Sequence, residues 1–558
     1  MKKKLLPLAM LAGLAGAAGT AQAVHINSDG TGSALIFPYY SADGGNYTTI
    51  NLTNTSSEAK AVKVRFIEGV NSREVLDFNL YMSPYDHWSV AVQANGEGAG
   101  LVLPSDADGN YAGDTTCTVP NFAAFHELSS DGSSDPIFVP FRDLEYTGGS
   151  TSGADADDGP QTLDRVRQGY VEVIEMGVLD TDWADAADHT DVGIPTDCDA
   201  LSAAWLVAGI DGTGIEDGIE GTGEWAQVDA NGNPLPAADE GDPSDGVFAA
   251  TGGIYGYGSV VNANAGTTAT YSAVALDDFD GDAPNHTEPG SVEPTLAAAT
   301  DVAQVFGGTR IYDFDTTAGD AVSVALMRDT LSNDYVLDED RYSATDWVIT
   351  FPTKRFYVET GTAAEQAPFT SEFGWTDEAQ GACEPINVRY WDREEQETIP
   401  EDPTSGLDFS PRPSVETSEP VGFNLCKEVN VIGFWDASET DLDDVETLDD
   451  TTYRPAIGGH EDGYLFEALP VIFDAGWATI DLTVDAFGVD VASPGRELAV
   501  NELTDGPTVI NGLPVVGFAL QTFINASVTV EHEGEEYDVA QAYSGLVEHK
   551  YTRSVGSD

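Results

Sequence analysis

The clearest chemical signal in the chain is the acidic run DDFDGD, where Asp278, Asp280 and Asp282 occupy alternate positions. Carboxylates spaced in this way direct their oxygens toward one point, as they do in calcium-binding loops. The sequence therefore predicts a calcium site at these three residues. The twelfth position of such a loop, which normally supplies a bidentate acid, is Pro289, so the predicted ligand set is incomplete.

Two other segments show related spacing. Asp229, Asn231 and Asn233 are followed by Glu240 at the twelfth position, but Pro234 stands where this loop type has glycine. The third segment lacks a closing acid and contains Asp106, Asp108 and Asn110. All three segments also have the composition of ordinary polar turns, so calcium binding and a plain turn are the alternatives at each.

Signatures of common catalytic sites do not occur in the sequence. There is no G-x-S-x-G nucleophile elbow, no P-loop, no dinucleotide fingerprint after a strand and no H-E-x-x-H. Ser259 follows a glycine-rich segment, and His87 and His460 each have an acid nearby, but no complete triad can be assigned. The sequence leaves enzymatic activity undecided and favours a protein that does not catalyse a reaction.

Carbohydrate chemistry is an alternative. Glycoside hydrolases use two carboxylates about 5 to 9.5 Å apart, and 96 Asp and Glu residues supply many pairs. Tryptophans that could stack on sugars serve equally well in a hydrophobic core, and the candidates are Trp183, Trp347, Trp375, Trp391 and Trp435. Trp347 alternates with Ile349 and Phe351 along a predicted strand, which favours the core for that residue.

Four cysteines are candidates for cross-links that hold these elements together. Their even number in a chain bound for an oxidising compartment predicts disulfides. Their grouping along the sequence favours the pairs Cys117 with Cys198 and Cys383 with Cys426. Zinc binding is disfavoured because the sequence has no C-x-x-C and no histidine pair at i, i+4.

Residues 1–23 have the features of a bacterial signal peptide. Lys2, Lys3 and Lys4 form a positive start, an apolar run follows, and Ala21 and Ala23 frame a cleavage site. We therefore expect an exported protein. No later apolar stretch reaches the roughly 18 to 20 residues that a membrane-spanning helix needs, so we expect no transmembrane segment after cleavage.

The charge of the chain is strongly negative, at a formal −73 with 23 Lys and Arg residues. Such a surface repels nucleic acid, which we therefore exclude as a partner. One interpretation is halophilic adaptation, because salt shortens the screening length from about 10 Å at 0.1 M to about 3 Å at 1 M. The other is that the acidic surface also gathers calcium.

Strands dominate the predicted secondary structure. Alternation of apolar and polar residues predicts five short strands between residues 32 and 93, with six side chains directed inward: Val62, Val64, Phe66, Leu76, Phe78 and Leu80. Turns rich in Gly, Asn and Ser separate them, which indicates an antiparallel, Ig-like β-sandwich. The predicted fold class is mostly β, with further β-rich regions and little helix.

The chain divides into four predicted regions. They are a signal peptide at 1–23, a β-sandwich region at 24–103, a β-rich region with long acidic loops at 104–285, and a C-terminal β-rich domain at 286–558. The best helix candidate is EPTLAAATDVAQVF at 293–306. A second, shorter helix is predicted to begin at Cys198.

These observations favour an exported, acidic, β-rich protein of the cell surface or extracellular space. We expect it to act by binding or assembly, as adhesion, matrix or surface-layer proteins do, with surface polysaccharide or other envelope proteins as partners and self-assembly as an option. The first alternative is a secreted carbohydrate-active or glycan-binding protein. The second is a structural component of the periplasm.

The acidic composition generates a test that separates screening from metal binding. We expect the mature protein to lose thermal stability on dilution into low salt, because self-repulsion is then less screened. If Asp278, Asp280 and Asp282 bind calcium, millimolar calcium chloride raises the melting temperature more than sodium chloride of the same ionic strength. Equal melting temperatures in the two salts would contradict the calcium prediction.

Overall fold

The computed structural model describes most of the chain after the predicted leader. The described residues are 23–130, 135–149, 156–205, 223–227, 241–279, 281–305, 310–313, 318–337, 343–358, 367–376, 380–394, 397–398, 423–436, 457, 464–471, 473–485, 489, 495–502, 506–532 and 535–556. The predicted signal peptide, apart from Ala23, lies outside them. No helix in these ranges is long and apolar enough to cross a membrane.

Strands account for most of the regular structure, which confirms the predicted mostly β class. Those before residue 280 are β1 (His25–Ile26), β2 (Ala34–Ser41), β3 (Asn46–Asn54), β4 (Lys60–Glu68), β5 (Glu74–Met82), β6 (His87–Asn95), β7 (Gly98–Leu103), β8 (Cys117–Val119), β9 (Ile137–Pro140), β10 (Gln168–Leu179), β11 (Val247–Phe248), β12 (Ile254–Asn262), β13 (Thr267–Ser272) and β14 (Val274–Asp277).

The later strands are β15 (Val302–Val305), β16 (Arg310–Asp313), β17 (Met327–Arg328), β18 (Thr330–Val336), β19 (Ser343–Thr350), β20 (Glu384–Asp392), β21 (Glu397–Thr398), β22 (Phe423–Leu425), β23 (Val429–Asp436), β24 (Phe466–Val471), β25 (Ala475–Asp481), β26 (Glu497–Glu502), β27 (Gly506–Asn511), β28 (Leu513–Pro514), β29 (Val516–His532), β30 (Glu535–Glu548), β31 (Lys550–Thr552) and β32 (Val555–Gly556).

Helices are short. They are α1 (Phe122–Ser129), α2 (Leu144–Thr147), α3 (Thr181–Ala187), α4 (Cys198–Ala204), α5 (Ala318–Leu326) and α6 (Arg355–Val358), with 3-10 turns at Leu163–Arg167 and Leu296–Ala298. The helix predicted to begin at Cys198 is confirmed as α4. It is capped by Asp197, whose side chain accepts a hydrogen bond from the backbone N–H of Ala200.

Two antiparallel sheets form the N-terminal part of the fold. The central sheet has the strand order β1-β14-β2-β10-β4-β5-β8, with β11 paired to β10, and the cover sheet has the order β13-β12-β3-β6-β7-β9. Residues from both sheets share one hydrophobic core. Five of the six side chains predicted to point inward are fully buried there and Leu76 is partly buried, which confirms the predicted alternation.

The central sheet is buried on its second face as well. Because successive side chains of a strand point to opposite faces, Leu35 and Phe37 enter the core with the cover sheet while Ile36 points the other way. Ile36 lies in a separate hydrophobic cluster with Val322 and Leu326 of α5. The C-terminal part of the chain therefore packs directly on the sheet that the N-terminal part builds.

Burial on both faces places charged side chains of the central sheet away from water. Arg65 donates hydrogen bonds to Glu74 at 2.7 Å and to Glu172 at 2.5 Å. Burial raises the pKa of Glu74 to about 7, although the charge of Arg65 opposes this shift. An unpaired charge at such a position would cost several kcal/mol, so these contacts are a condition for folding.

The sheets extend across the predicted region boundaries. β10 pairs with both β2 and β4 in the central sheet, and β12 pairs with β3 in the cover sheet. Strands before residue 103 therefore share sheets with strands between 168 and 277. The domain boundaries and the Ig-like detail of the sandwich stay predictions.

The helix predicted at 293–306 is wrong. Over the described residues of that segment, 293–305, the chain makes only the 3-10 turn Leu296–Ala298 and then extends into β15. Val24 N–H donates to the carbonyl of Val302, and Gln304 N–H donates back to the carbonyl of Val24. Pairing of β15 with β16 and the bridge to the distant Val24, aided by the β-branched Val302 and Val305, outweigh the local helix preference of the alanines.

Two further sheets in the C-terminal part of the chain carry the candidate binding site. The outer sheet has the strand order β21-β20-β25-β18-β31, with β22 paired to β20. The hairpin sheet has the order β24-β23-β19-β29-β30, in which only the β23–β24 pair is parallel. They pack face to face, as the stacking of Tyr335 on Phe434 with ring centroids 4.9 Å apart shows.

Both predicted disulfides are confirmed. Cys117 in β8 is bonded to Cys198 at the start of α4. Cys383, directly before β20, is bonded to Cys426, directly after β22. The second bond fixes the start of β20, and the site residues Arg389 and Trp391 lie toward the other end of this strand.

The buried side chain of His549 predicts that the free energy of unfolding depends on pH. His549 donates from Nε2 to the carbonyl of Val348 and accepts at Nδ1 from the amide of Asn333, so its neutral form is fully bonded. Burial lowers the pKa of His549 from 6.5 to about 4. Between these values only the unfolded chain takes up the proton, so stability present above pH 6.5 is lost as the pH falls to 4.

We expect His549→Gln to reduce this acid-dependent loss by up to about 3 kcal/mol, the free energy equivalent of the pKa shift. Denaturant titration at pH 7.5 and 4.5 gives the loss for each variant. His87→Gln, at an exposed histidine, is the matched control and should follow the wild type. Identical pH dependence in all three proteins would contradict the assignment.

Candidate functional site

The predicted calcium residues lie on the surface. Asp278 and Asp282 are exposed, whereas Asp280 falls outside the described residues. The ring of His25 lies beside Asp278, with Nδ1 3.8 Å from Oδ2. Within the part of the chain that the structure describes, no three His, Cys, Asp or Glu side chains are grouped to hold a metal. Calcium at Asp278, Asp280 and Asp282 stays a prediction.

The other turn candidates differ from one another. Asp106 accepts hydrogen bonds from the backbone N–H groups of Asp108 and Asn110 and from the Asn110 amide. These bonds lower the pKa of Asp106 and are those of a self-contained polar turn. The segment from Asp229 to Glu240 lies outside the described residues.

The candidate catalytic residues that the structure describes, His87 and Ser259, make separate polar contacts. His87 is exposed and contacts Thr53, with Nδ1 and Oγ1 2.9 Å apart. Ser259 is bonded to the hydroxyl of Thr270 on the neighbouring strand at 2.8 Å. His460 falls in a segment that the structure does not describe.

The predicted tryptophans separate into interior and surface positions. Trp347 is fully buried, as its strand pattern predicts. Trp183 packs against Trp225, and Trp375 packs at the edge of the core beside Tyr464. The side chain of Trp435 is not among those described. Trp391 differs from these residues. It is partly buried and stacks on Trp477, a tryptophan that is exposed at the surface.

The outer sheet positions this pair through strand alternation. On β25, Ala478 and Ile480 are buried while Trp477 is 41% exposed. On β20, Val388 and Tyr390 are buried, so Trp391 points outward with Trp477. The sequence analysis did not include Trp477 among the tryptophans that could stack on sugars. The signal that could have found it is its position in the alternating segment WATIDL, where it lies on the same side as the polar residues.

Strand register brings the two indoles into contact. Trp391 and Trp477 are directly opposite each other in the β20–β25 pair. Their ring centroids are 4.0 Å apart and their planes are inclined by 14°. On the other side of β25, Asp334 of β18 is the partner of Trp477. Asp334, Trp477 and Trp391 therefore form one row across three strands.

A neighbouring row on the same face is polar. It contains Lys550, Ser332, Thr479 and Arg389 in register across four strands. Ser332 donates to the hydroxyl of Thr479 at 3.0 Å. The Arg389 guanidinium lies over the Trp391 ring, 5.0 Å from its centroid. We call these two rows together the outer face.

Gly476 permits the close pairing beneath the outer face. A Cβ at this position would lie 1.8 Å from the carbonyl oxygen of Trp391. Any larger residue would therefore push β20 and β25 apart. The glycine directly before Trp477 in the sequence is thus required for the stacking of the two indoles.

A cavity of about 350 Å³ opens beside the outer face. It is lined by residues from the outer sheet and from β29 of the hairpin sheet: Asp334, Tyr335, Val336, Asp392, Arg393, Gly476, Trp477, Gln521 and Phe523. Phe523 stacks on the exposed Tyr543 with ring centroids 4.9 Å apart. Two stacked aromatic pairs therefore flank one cavity that also contains carboxylates and a guanidinium.

This arrangement is suited to binding a ligand that has both flat apolar faces and hydroxyl groups. Exposed indole rings present a rigid apolar surface, and contiguous exposed aromatics commonly mark interaction sites. The C–H face of a sugar ring can stack on such a surface while its hydroxyls bond to the polar row. Tryptophan and arginine are also the residues most enriched where binding energy concentrates.

Comparison with protein-family models, with curated proteins and with solved structures finds no match for this chain. The functional assignment therefore rests on the geometry of the site.

The role of Gly476 can be tested directly. Gly476→Ala should separate the indoles and destabilise the fold by about 1 to 3 kcal/mol, as overpacking does. Near-ultraviolet circular dichroism reports the loss, because stacked indoles couple their electronic transitions. Gly545→Ala, at a strand glycine with open space around it, is the control. An unchanged spectrum for Gly476→Ala would refute the requirement.

Proposed function

We propose that the protein is an exported, non-catalytic binding protein of the cell surface or extracellular space, whose outer face binds polysaccharide. The observation that carries this proposal is the stacked pair Trp391 and Trp477 on the solvent side of a sheet. The adjacent row of hydroxyl and cationic groups supplies hydrogen bonds to sugar hydroxyls.

The exposure of Trp477 supports a binding role over a structural one. Burying a large aromatic side chain contributes roughly 1.5 to 3 kcal/mol, and Trp477, which is 41% exposed, forgoes part of this contribution. The inward residues of the same strand are fully buried, so the outer sheet does not need Trp477 for its core. Its indole is available to a ligand.

The export assignment has support from the cross-links and the sequence. Two disulfides in a chain that begins with a signal-peptide pattern favour an oxidising compartment. The outer face is on the solvent side of the protein, where a large polymer can reach it. A periplasmic structural role is the alternative, and fractionation of cells that produce the protein separates the two.

A secreted hydrolase is the second candidate. Asp334 and Asp392 line the same cavity as Trp477, and glycoside hydrolysis requires two carboxylates on either side of the scissile bond. Release of new reducing ends from a bound polysaccharide would favour this candidate. Binding without release supports the non-catalytic proposal.

Binding is measured by electrophoresis in gels that contain single soluble polysaccharides. We expect Trp477→Ala to weaken retardation by about 10-fold or more, since loss of a central aromatic contact costs on the order of 2 kcal/mol. Tyr255→Ala is the matched control, because Tyr255 is a strand aromatic on another sheet that is 38% exposed.

Retardation of Trp477→Ala equal to that of the wild type would contradict the proposal, provided that circular dichroism shows the variant to be folded. Equal weakening by Tyr255→Ala would also contradict it, since the effect would then not depend on the outer face.

A further inference from the structure

Cations are scarce in this protein, and the fold buries half of the Lys and Arg side chains whose burial the structure gives. The sequence has 23 Lys and Arg residues against 96 Asp and Glu residues. Lys60 pairs with Glu175 at 2.7 Å, Lys63 with Asp77 at 3.0 Å, and both lysine side chains are fully buried. Arg165 pairs with Glu68 and Asp157 in the same manner.

Few described cations are left exposed on the surface. Of the Lys and Arg side chains whose burial the structure gives, the exposed ones are Arg142, Arg389, Arg393 and Lys550. Arg389 and Lys550 belong to the outer face, and Arg393 lines the cavity beside it. Three of the four exposed cations therefore lie around one stacked tryptophan pair.

The spacing of the two outer-face cations matches an extended polymer. Lys550 of β31 and Arg389 of β20 lie in one row and are separated by β18 and β25. Three inter-strand steps of about 4.8 Å separate their backbones by roughly 14 Å. That distance corresponds to a few sugar units, so one chain crossing the strands can contact both cations and the indoles.

We propose that the outer face recognises a polysaccharide that carries carboxylate groups, that is, a polymer of uronic acid units. This inference rests on the proposed function and specifies its ligand. A guanidinium binds a carboxylate through two parallel hydrogen bonds, and an ammonium attracts it as a compact charge. The indoles of the neighbouring row stack on sugar rings beside the charged contacts.

The negative charge of the protein favours this site over others for an anionic polymer. Most of the surface repels a polyanion, so contacts become favourable only where exposed cations occur. Asp334 on the outer face and Asp392 at the cavity reduce the local positive charge. We therefore expect affinity of moderate strength that needs both the indoles and the cations, and that is measurable when salt screens the remaining surface.

The decisive experiment compares two forms of one polymer, polygalacturonate and its fully methyl-esterified form, in which each carboxylate is replaced by a neutral methyl ester. Binding of the full-length mature protein is measured at 0.3 M sodium chloride, where the screening length is about 6 Å. The wild type should bind the acid form at least about 10-fold more tightly than the ester, equivalent to about 1.4 kcal/mol.

The double variant Arg389→Gln with Lys550→Gln should lose this preference and bind the acid form and the ester equally, within about 2-fold of each other. Arg142→Gln, at the exposed cation away from the site, should retain the preference. The near-ultraviolet circular dichroism band of the tryptophan pair confirms that the outer face remains assembled in the double variant.

The outcomes separate this inference from the proposed function. If Trp477→Ala weakens binding to both forms but the double variant keeps the wild-type preference, the outer face binds polysaccharide and the carboxylate specificity is wrong. A wild type that binds the ester as tightly as the acid form, or that binds neither form, also overturns the specificity. If Trp477→Ala leaves binding to both forms unchanged, the proposed function itself fails.

Discussion

The constraint on which the structure depends is the burial of charge in a sheet that is covered on both faces. The central strand β10 is buried along its whole length, yet it carries Glu172 and Glu175. Each is paired with a cation of β4, Arg65 and Lys60 respectively. Removing one partner of such a pair would leave a buried charge and cost about 3 to 5 kcal/mol, so the layers can pack only when these contacts form.

This requirement also determines the character of the surface. Cations used inside the protein are unavailable outside, and the exterior of a chain with net charge −73 is left with mostly acidic groups. Exposed Lys and Arg side chains are therefore informative about function, because each one departs from the mostly acidic composition of the exterior. The outer face combines two of them with a stacked indole pair of which Trp477 is exposed. This combination connects the internal ion pairs to the proposed binding site.

Period-two alternation predicted the five N-terminal strands correctly because half-buried strands leave this pattern in sequence. The same reasoning failed for 293–306, where a hydrogen-bonded bridge to Val24 decides the conformation. It also could not rank Trp391 above the other tryptophans. Trp391 and Trp477 are 86 positions apart in the sequence, and only the β20–β25 register makes them neighbours.

The sequence by itself determined the strand-rich class, the acidic composition and the two disulfide pairs, because each follows from residue counts, local periodicity or cysteine grouping. Only the tertiary structure decided which charges are buried, which tryptophan is exposed and which residues form a row across several strands. The physical reason is that burial and strand register depend on contacts between distant segments. Lys550, Ser332, Thr479 and Arg389 become one surface only when four strands pair in a particular order.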